Sequence, residues 1–191
     1  MLYTVGHGSR TLEEFIALLR QHGIRCLVDI RAYPGSRRHP HFARVPLAAA
    51  LQAEGIDYVW MGRELGGFRH GGGAEHTALR SPGFRAYCAH MASEPFRQGV
   101  QRLLHLAAAA PTAVMCAERL YWHCHRYFLA DALLLRGVRV VHLLTQSELS
   151  EHRMNPLARV VQGRLVYDGG QAVLPYEGAS DELLPLGRCA G

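Results

Sequence analysis

Five short apolar runs punctuate the chain: Leu2–Val5, Cys26–Ile30, Asp57–Met61, Thr112–Met115 and Val138–Leu144. None alternates cleanly between apolar and polar residues, which is the pattern of strands covered on both faces in a parallel sheet. The stretches between them read as helices. In "TLEEFIALLRQHG" the spacing of Thr11 and Glu14 predicts a capping box, Leu12, Phe15, Ile16 and Leu19 form one apolar face, and Gly23 supplies the stop. "VPLAAALQAEG" has Pro46 suited to a first helical turn and Gly55 to an end. "GFRAYCAHMAS" and "PFRQGVQRLLHLAAAA" give one or two helices before the fourth strand, and a helix after that strand runs to about Arg136, before Gly137. Such alternation predicts a three-layer α/β fold: a mainly parallel sheet of about five strands, right-handed crossovers and helices on both faces. "RVVQGRLVYDGG" predicts a hairpin turning at Gln162 and Gly163, read as an appendage to the sheet edge. With no repeat and no long linker, the chain reads as a single α/β domain over 1–176, its hairpin appendage at 151–176, followed by a flexible tail at 177–191.

A chain of 191 residues buries about two thirds of its unfolded surface and needs no cross-links to fold. Its 5 cysteines are an odd, scattered set, which argues against a disulfide framework. No apolar run approaches the roughly 20 residues that span a bilayer. The opening "MLYTVGHGS" enters a strand at once rather than a leader, so a cytoplasmic protein with no membrane partner is expected. The net charge is +5, and all 21 basic residues are arginine. Without lysine there is no Schiff-base lysine and no lysine-dependent phosphate loop, whereas guanidinium forks for phosphate or carboxylate are abundant.

In open α/β sheets ligands bind beyond the carboxyl ends of the strands, so the residues there are the candidates. The first strand leads into His7 and Ser9, the second into Asp29, Arg31, Ser36, Arg37 and Arg38. Taken singly, the former is also a glycine turn with a capping serine, and the latter a structural ion pair. The third strand is followed by a glycine-rich segment from Arg63 to Arg80, including Gly66 and Gly67, long enough to act as a lid. The fourth leads into "CAERLYWHCHR", with Cys116 and Glu118 at the strand end and Cys124, His125 and Arg126 early in the next helix. His142, inside the fifth strand, reads as a satisfied core histidine. Each cysteine alone reads as packing, but burying Glu118 and Arg126 together would cost several kcal/mol unless they serve a site.

"YTVGHGS", "LVDIRAYPGSRR", "LGG" and "CAERLYWHCHR", in this order, resemble the bacterial and archaeal family known as domain of unknown function 488. The resemblance spans Tyr3 to His142, and the last motif is its most specific part. Members commonly carry Asp-Pro after the Cys-Ala-Glu triplet, where this chain has Leu120 and Tyr121 nearby, which implies a loop of different shape. The resemblance implies no activity. It assigns the family's characteristic positions to His7, Ser9, Asp29, Arg31, Ser36, Arg37, Gly66, Gly67, Cys116, Glu118, Cys124, His125 and Arg126.

Three chemistries fit these residues. Cys116 as a nucleophile would make the chain faintly rhodanese-like, although the segment after it lacks the sulfurtransferase cradle. Cys116, Cys124 and His125, with His7, would form a metal site, although the spacing lacks Cys-x-x-Cys knuckles. Arg31, Arg37 and Arg126 would hold a phosphate-containing small molecule or nucleic acid, with Glu118 or Asp29 as general acid or base and Tyr33 or Phe42 as exposed aromatics. The third is the expected function, that of a hydrolase or transferase on a phosphate-containing substrate; no cofactor is predicted, with a metal as the alternative. A non-catalytic binding module would show the same arginines without a carboxylate in the pocket.

Overall fold

A computed structural model describes residues 1–35 and 38–170. Ser36, Arg37 and the tail at 177–191 lie outside the described residues.

Among the described residues, eight strands and six α-helices follow in the order β1 (Leu2–Gly6), α1 (Leu12–Gln21), β2 (Cys26–Asp29), α2 (Arg44–Ala53), β3 (Asp57–Trp60), α3 (Gly62–Leu65), α4 (Pro82–His90), α5 (Glu94–Ala109), β4 (Thr112–Cys116), α6 (Arg126–Leu134), β5 (Val140–Leu143), β6 (Leu149–Glu151), β7 (Ala158–Val161) and β8 (Arg164–Tyr167). Short 3-10 turns cover Pro40–Phe42 and Tyr121–His123. The capping box at α1 forms as its sequence predicts, with Thr11 and Glu14 each taking the other's backbone amide.

Six strands form one sheet in the order β3-β2-β4-β1-β5-β6. The first five are parallel, and β6 closes the edge antiparallel to β5. Alternate residues face opposite sides. Val5, Leu27, Ala113 and Met115 meet Phe15, Leu18 and Leu19 of α1 and Leu47 and Leu51 of α2. Leu2, Val28, Val114 and Cys116 meet α4, α5 and α6 through Tyr87, Phe96, Val100, Phe128 and Leu129. The result is the three-layer α/β arrangement, with one apolar core on each face of a mostly parallel sheet. The central strands β1 and β4 are neighbours whose outgoing helices, α1 and α6, pack on opposite faces, and the chain therefore parts between their carboxyl ends. A crevice at that parting is a consequence of topology.

Two local details differ from the sequence reading. The strand β6 is not anticipated, because three residues with exposed ends carry no apolar pattern. The hairpin does form, with Gln162 and Gly163 both at positive φ (50° and 74°), the geometry of a tight primed turn. It is a separate two-stranded sheet, and β6 rather than the hairpin occupies the edge.

The hairpin is fastened to the core through a buried polar chain. Asp131 on α6 accepts hydrogen bonds from Tyr167 Oη (2.9 Å), Asn155 N (2.9 Å) and His152 Nε2 (2.9 Å). Since His152 gives its Nε2 proton to the carboxylate, its Nδ1 accepts from His142 Nε2 at 3.0 Å, and His142 Nδ1 accepts from the Thr4 hydroxyl at 2.7 Å. Tyr121 stacks on His142 at 3.5 Å between ring centroids. The links from His152 through His142 to Thr4, with these donor and acceptor roles, require a neutral His142.

Burial, reinforced by His152 and Arg126, lowers the His142 pKa to about 2. An unfolded histidine takes up its proton near pH 6.5. The folded state resists that proton, so its contribution to stability is complete above pH 6.5 and is lost as pH falls, at up to about 1.4 kcal/mol per pH unit. The variant His142→Gln, whose amide accepts from Thr4 and donates to His152 without titrating, is predicted to flatten the acid limb of a stability-versus-pH curve from urea denaturation. An acid limb as steep as that of the unsubstituted chain would refute the assignment.

Candidate functional site

The strand-end residues do not gather into one cluster. The sheet divides them into two groups at its carboxyl edge, one on the α1–α2 side and one on the α4–α6 side.

The first group is built on a buried ion pair. Asp29, the last residue of β2, is fully buried. It accepts from Arg31 N (3.0 Å), Arg31 Nε (2.9 Å), Arg31 Nη2 (2.6 Å) and Tyr58 Oη (2.6 Å). The same guanidinium donates from Nη2 to the Phe42 carbonyl at 2.8 Å. Burial works against the Arg31 charge, and the bonds to Asp29 more than offset it, so its pKa is raised. Asp29 is therefore saturated and out of reach of any ligand. Its bonds hold Arg31 in place beside the cleft.

The remaining Arg31 nitrogen, Nη1, faces His7 Nε2 at 3.4 Å. His7 donates from Nδ1 to the Gly8 carbonyl at 2.9 Å, and this leaves Nε2 as an acceptor. Its ring stacks on Phe42 at 4.3 Å. Burial, together with Arg31 and His39, brings its pKa down to about 4, so the imidazole is neutral at physiological pH. Phe42 itself is fully buried, which corrects its reading as an exposed aromatic.

Above this pair opens a cleft of about 450 Å³, lined by His7, Gly8 and Ser9 after β1, by Arg31, Tyr33, Gly35, Arg38 and His39 after β2, and by Ala117, Glu118 and Arg119 after β4. These are the three loops that flank the parting between β1 and β4. Ser9, Arg38, Glu118 and Arg119 are exposed to it. Glu118 is thus no buried charge, and the cost argued for burying it does not arise.

Arg126 is almost wholly buried and does not open on the cleft. Its Nη2 donates to the carbonyls of Glu118 and, at 3.4 Å, Arg119. These bonds brace the loop that carries Glu118 and Arg119. Arg38 and Arg119, rather than Arg126, are the exposed arginines that line the cleft. Sequence reasoning passed over Arg119, because an arginine inside a motif of stronger residues gives no signal of its own.

The second group lies on the other face. Cys116 ends β4, and Cys124 and His125 follow the 3-10 turn, before α6 rather than within it. Cys124 is extended (φ −136°, ψ 152°), which turns its sulfur back toward the strand end. The His125 Nδ1 lies 3.5 Å from Cys124 Sγ and 3.9 Å from Cys116 Sγ, and all three groups are buried. Burial opposes a thiolate on Cys124, but the Cys116 thiol, His125, and the charge of Arg126 outweigh it, so its pKa falls well below that of a free thiol. Cys116, hydrogen-bonded to Cys124 and buried, keeps its proton. Cys124 packs in the apolar core as expected, but it stands before α6 rather than one turn into it.

Gly67 belongs to this side, whereas Gly66 packs against Gly62 and Ala32, and neither lines the cleft. Arg69 Nε donates to the Gly66 carbonyl at 3.0 Å. A Cβ on Gly67 would stand 2.5 Å from His125 Nδ1 and 2.7 Å from its Cγ, that is, against the face of the ring. The segment from Arg63 to Arg80 is tied down at several points: His90 bonds the Glu64 carbonyl, the Ala78 amide donates to the Tyr167 carbonyl, and His76 and Leu79 are buried. It packs over α4 and the hairpin, not over the cleft.

The sequence model of the family described as domain of unknown function DUF488 matches residues 11–133. No curated protein and no solved structure matches the chain.

The close approach at Gly67 sets a prediction. Gly67→Ala must push the chain or the His125 ring aside, at a cost of about 1–3 kcal/mol. It is expected to lower the melting temperature and to expose Cys124 to thiol reagents. A variant with unchanged melting and unchanged thiol reactivity would show that the ring is not confined.

Proposed function

The chain belongs to the DUF488 family, and on that premise we propose that it binds phosphate-containing ligands in the cleft between β1, β2 and β4 and acts on them as a hydrolase or transferase. One observation carries this reading: three guanidinium groups and one carboxylate meet at the topological parting of the sheet. Arg31 forms the floor, held by Asp29, while Arg38 and Arg119 stand on the walls with the Ser9 hydroxyl between the loops. Such forks suit the geometry of phosphate oxygens. A surface made only to bind anions gains nothing from a carboxylate beside the ligand, so Glu118 is assigned proton transfer to or from the attacking or leaving oxygen. The neutral His7, oriented by Gly8, offers its Nε2 lone pair as an acceptor next to Arg31.

A neighbouring groove extends the reading from small phosphates to nucleotides or a nucleic-acid strand. It shares Tyr33 and Gly35 with the cleft and measures about 700 Å³. Tyr33 and Phe68 expose 76% and 69% of their surface with ring centroids 5.7 Å apart. Trp60 stands between the guanidinium groups of Arg44 (4.8 Å) and Arg63 (5.7 Å). Aromatic faces alternating with arginines are the elements of a surface that stacks bases and tracks a phosphate backbone. A cytoplasmic location fits the four free cysteines among the described residues. Among those residues no helix is long and apolar enough to cross a membrane.

Calorimetric titration with inorganic phosphate, mononucleotides and short single-stranded oligonucleotides tests the two levels separately. Arg38→Ala and Arg119→Ala are expected to weaken every one of these ligands by about 1.5–3 kcal/mol, the worth of a charge-assisted hydrogen bond. Tyr33→Ala and Phe68→Ala are expected to weaken the oligonucleotide by about 1–3 kcal/mol while leaving phosphate unchanged. Identical titrations for both arginine variants would end the phosphate reading.

A further inference from the structure

Cys116, Cys124 and His125 play no part in the cleft, and their arrangement suits a different ligand. Their three donor atoms, two sulfurs and one imidazole nitrogen, all lie within 4.8 Å of one another. The measured separations from His125 Nδ1, 3.5 Å to one sulfur and 3.9 Å to the other, bracket what a metal imposes. With metal–sulfur bonds near 2.3 Å and metal–nitrogen bonds near 2.0–2.1 Å, donors at tetrahedral to trigonal angles stand roughly 3.6–3.8 Å apart.

A second observation concerns the ring. Gly67 presses on the face of the His125 imidazole, and Tyr87 meets it edge-on at 5.0 Å. These contacts confine the ring, and in that position its Nδ1 stands within 3.9 Å of both sulfurs. A histidine needed only as filling would not require a glycine against its face. We propose that Cys116, Cys124 and His125 bind a thiophilic closed-shell cation, Zn²⁺ or Cu⁺, on the α4–α6 side of the sheet.

The donor softness selects this class. Two thiolates and an imidazole in a buried setting favour Zn²⁺ or Cu⁺ over the oxygen-seeking Mg²⁺ and Ca²⁺. Any thiol proton still held is released to solvent on binding, and two thiolates cancel the charge of Zn²⁺, so no net charge is carried into the core by the divalent ion. The cation would also tie the end of β4 to the start of α6, the two ends of the loop that bears Glu118 and Arg119. This site does not depend on the phosphate reading.

The test begins with protein purified under reducing conditions, its metal content measured by mass spectrometry before and after incubation with Zn²⁺ or with Cu⁺. Titration of the apo protein with Co²⁺ follows, as a spectroscopic reporter of thiolate ligation. The proposal expects about one cation per chain, a melting temperature that falls on chelation, and a thiolate-to-cobalt charge-transfer band in the near ultraviolet. Competition between the two ions decides which is held. Cys116→Ser and Cys124→Ser are expected to lower affinity at least about tenfold, and if either fails to fold, the cobalt spectrum of the unsubstituted chain stands as the test. A chain that takes up neither ion while its thiols are free, or one whose cobalt spectrum lacks the thiolate band, would overturn the proposal. So would full metal retention in the folded cysteine variants.

Discussion

A buried carboxylate must find its whole complement of partners inside the protein, and Asp29 does so through one arginine two residues away and the Tyr58 hydroxyl. That pairing decides much of what surrounds it. It turns Arg31 back over the end of β2, brings the guanidinium against His7 and the Phe42 carbonyl, and leaves one nitrogen at the mouth of the cleft. Breaking such a buried pair by removing one partner costs about 3–5 kcal/mol, because the charge left behind has no solvent. The pair thus supplies a fixed positive group at the place where the sheet topology opens a crevice.

The loop after β4 is held by an analogous device on the opposite face. Arg126 buries its guanidinium against backbone carbonyls rather than against an acid, so the positions of Glu118 and Arg119 depend on a residue that no ligand touches. Two arginines of the same sequence motif therefore divide the labour: the buried one shapes the loop, and the exposed Arg119 faces the cleft. The sheet between the two groups also separates two chemistries, an arginine-lined cleft toward α1 and α2 and a sulfur–imidazole cluster toward α4 and α6.

How much of this was legible depended on whether the relevant partners are local. The capping box of α1 and the turn at Gln162 and Gly163 involve residues within four positions of each other, and both are readable from the sequence. The mostly parallel, three-layer architecture was readable from apolar runs that do not alternate. The place of β6 was not, since its three residues are selected by the free edge of β5 rather than by a pattern of their own. Asp29 and Arg31 were conspicuous as charges in an apolar strand, but whether such a pair faces inward or toward a ligand is settled by Tyr58 and Phe42, which come from elsewhere in the chain. Arg126 was misread because its acceptors are carbonyls, which every residue possesses. Cys124 was placed inside a helix because "YWHCHRYF" has no breaker, yet the chain makes a 3-10 turn and one extended residue before α6 begins.

The central claim is that the crevice between β1 and β4 is a phosphate site with a carboxylate poised beside it. The most direct measurement is a crystal structure of the protein soaked with a nucleoside monophosphate. The account predicts the phosphate between Arg31, Arg38 and Arg119, with a carboxylate oxygen of Glu118 within hydrogen-bonding distance of a phosphate oxygen or its attendant water. Phosphate density elsewhere on the surface at full occupancy, with the crevice left to solvent, would contradict it.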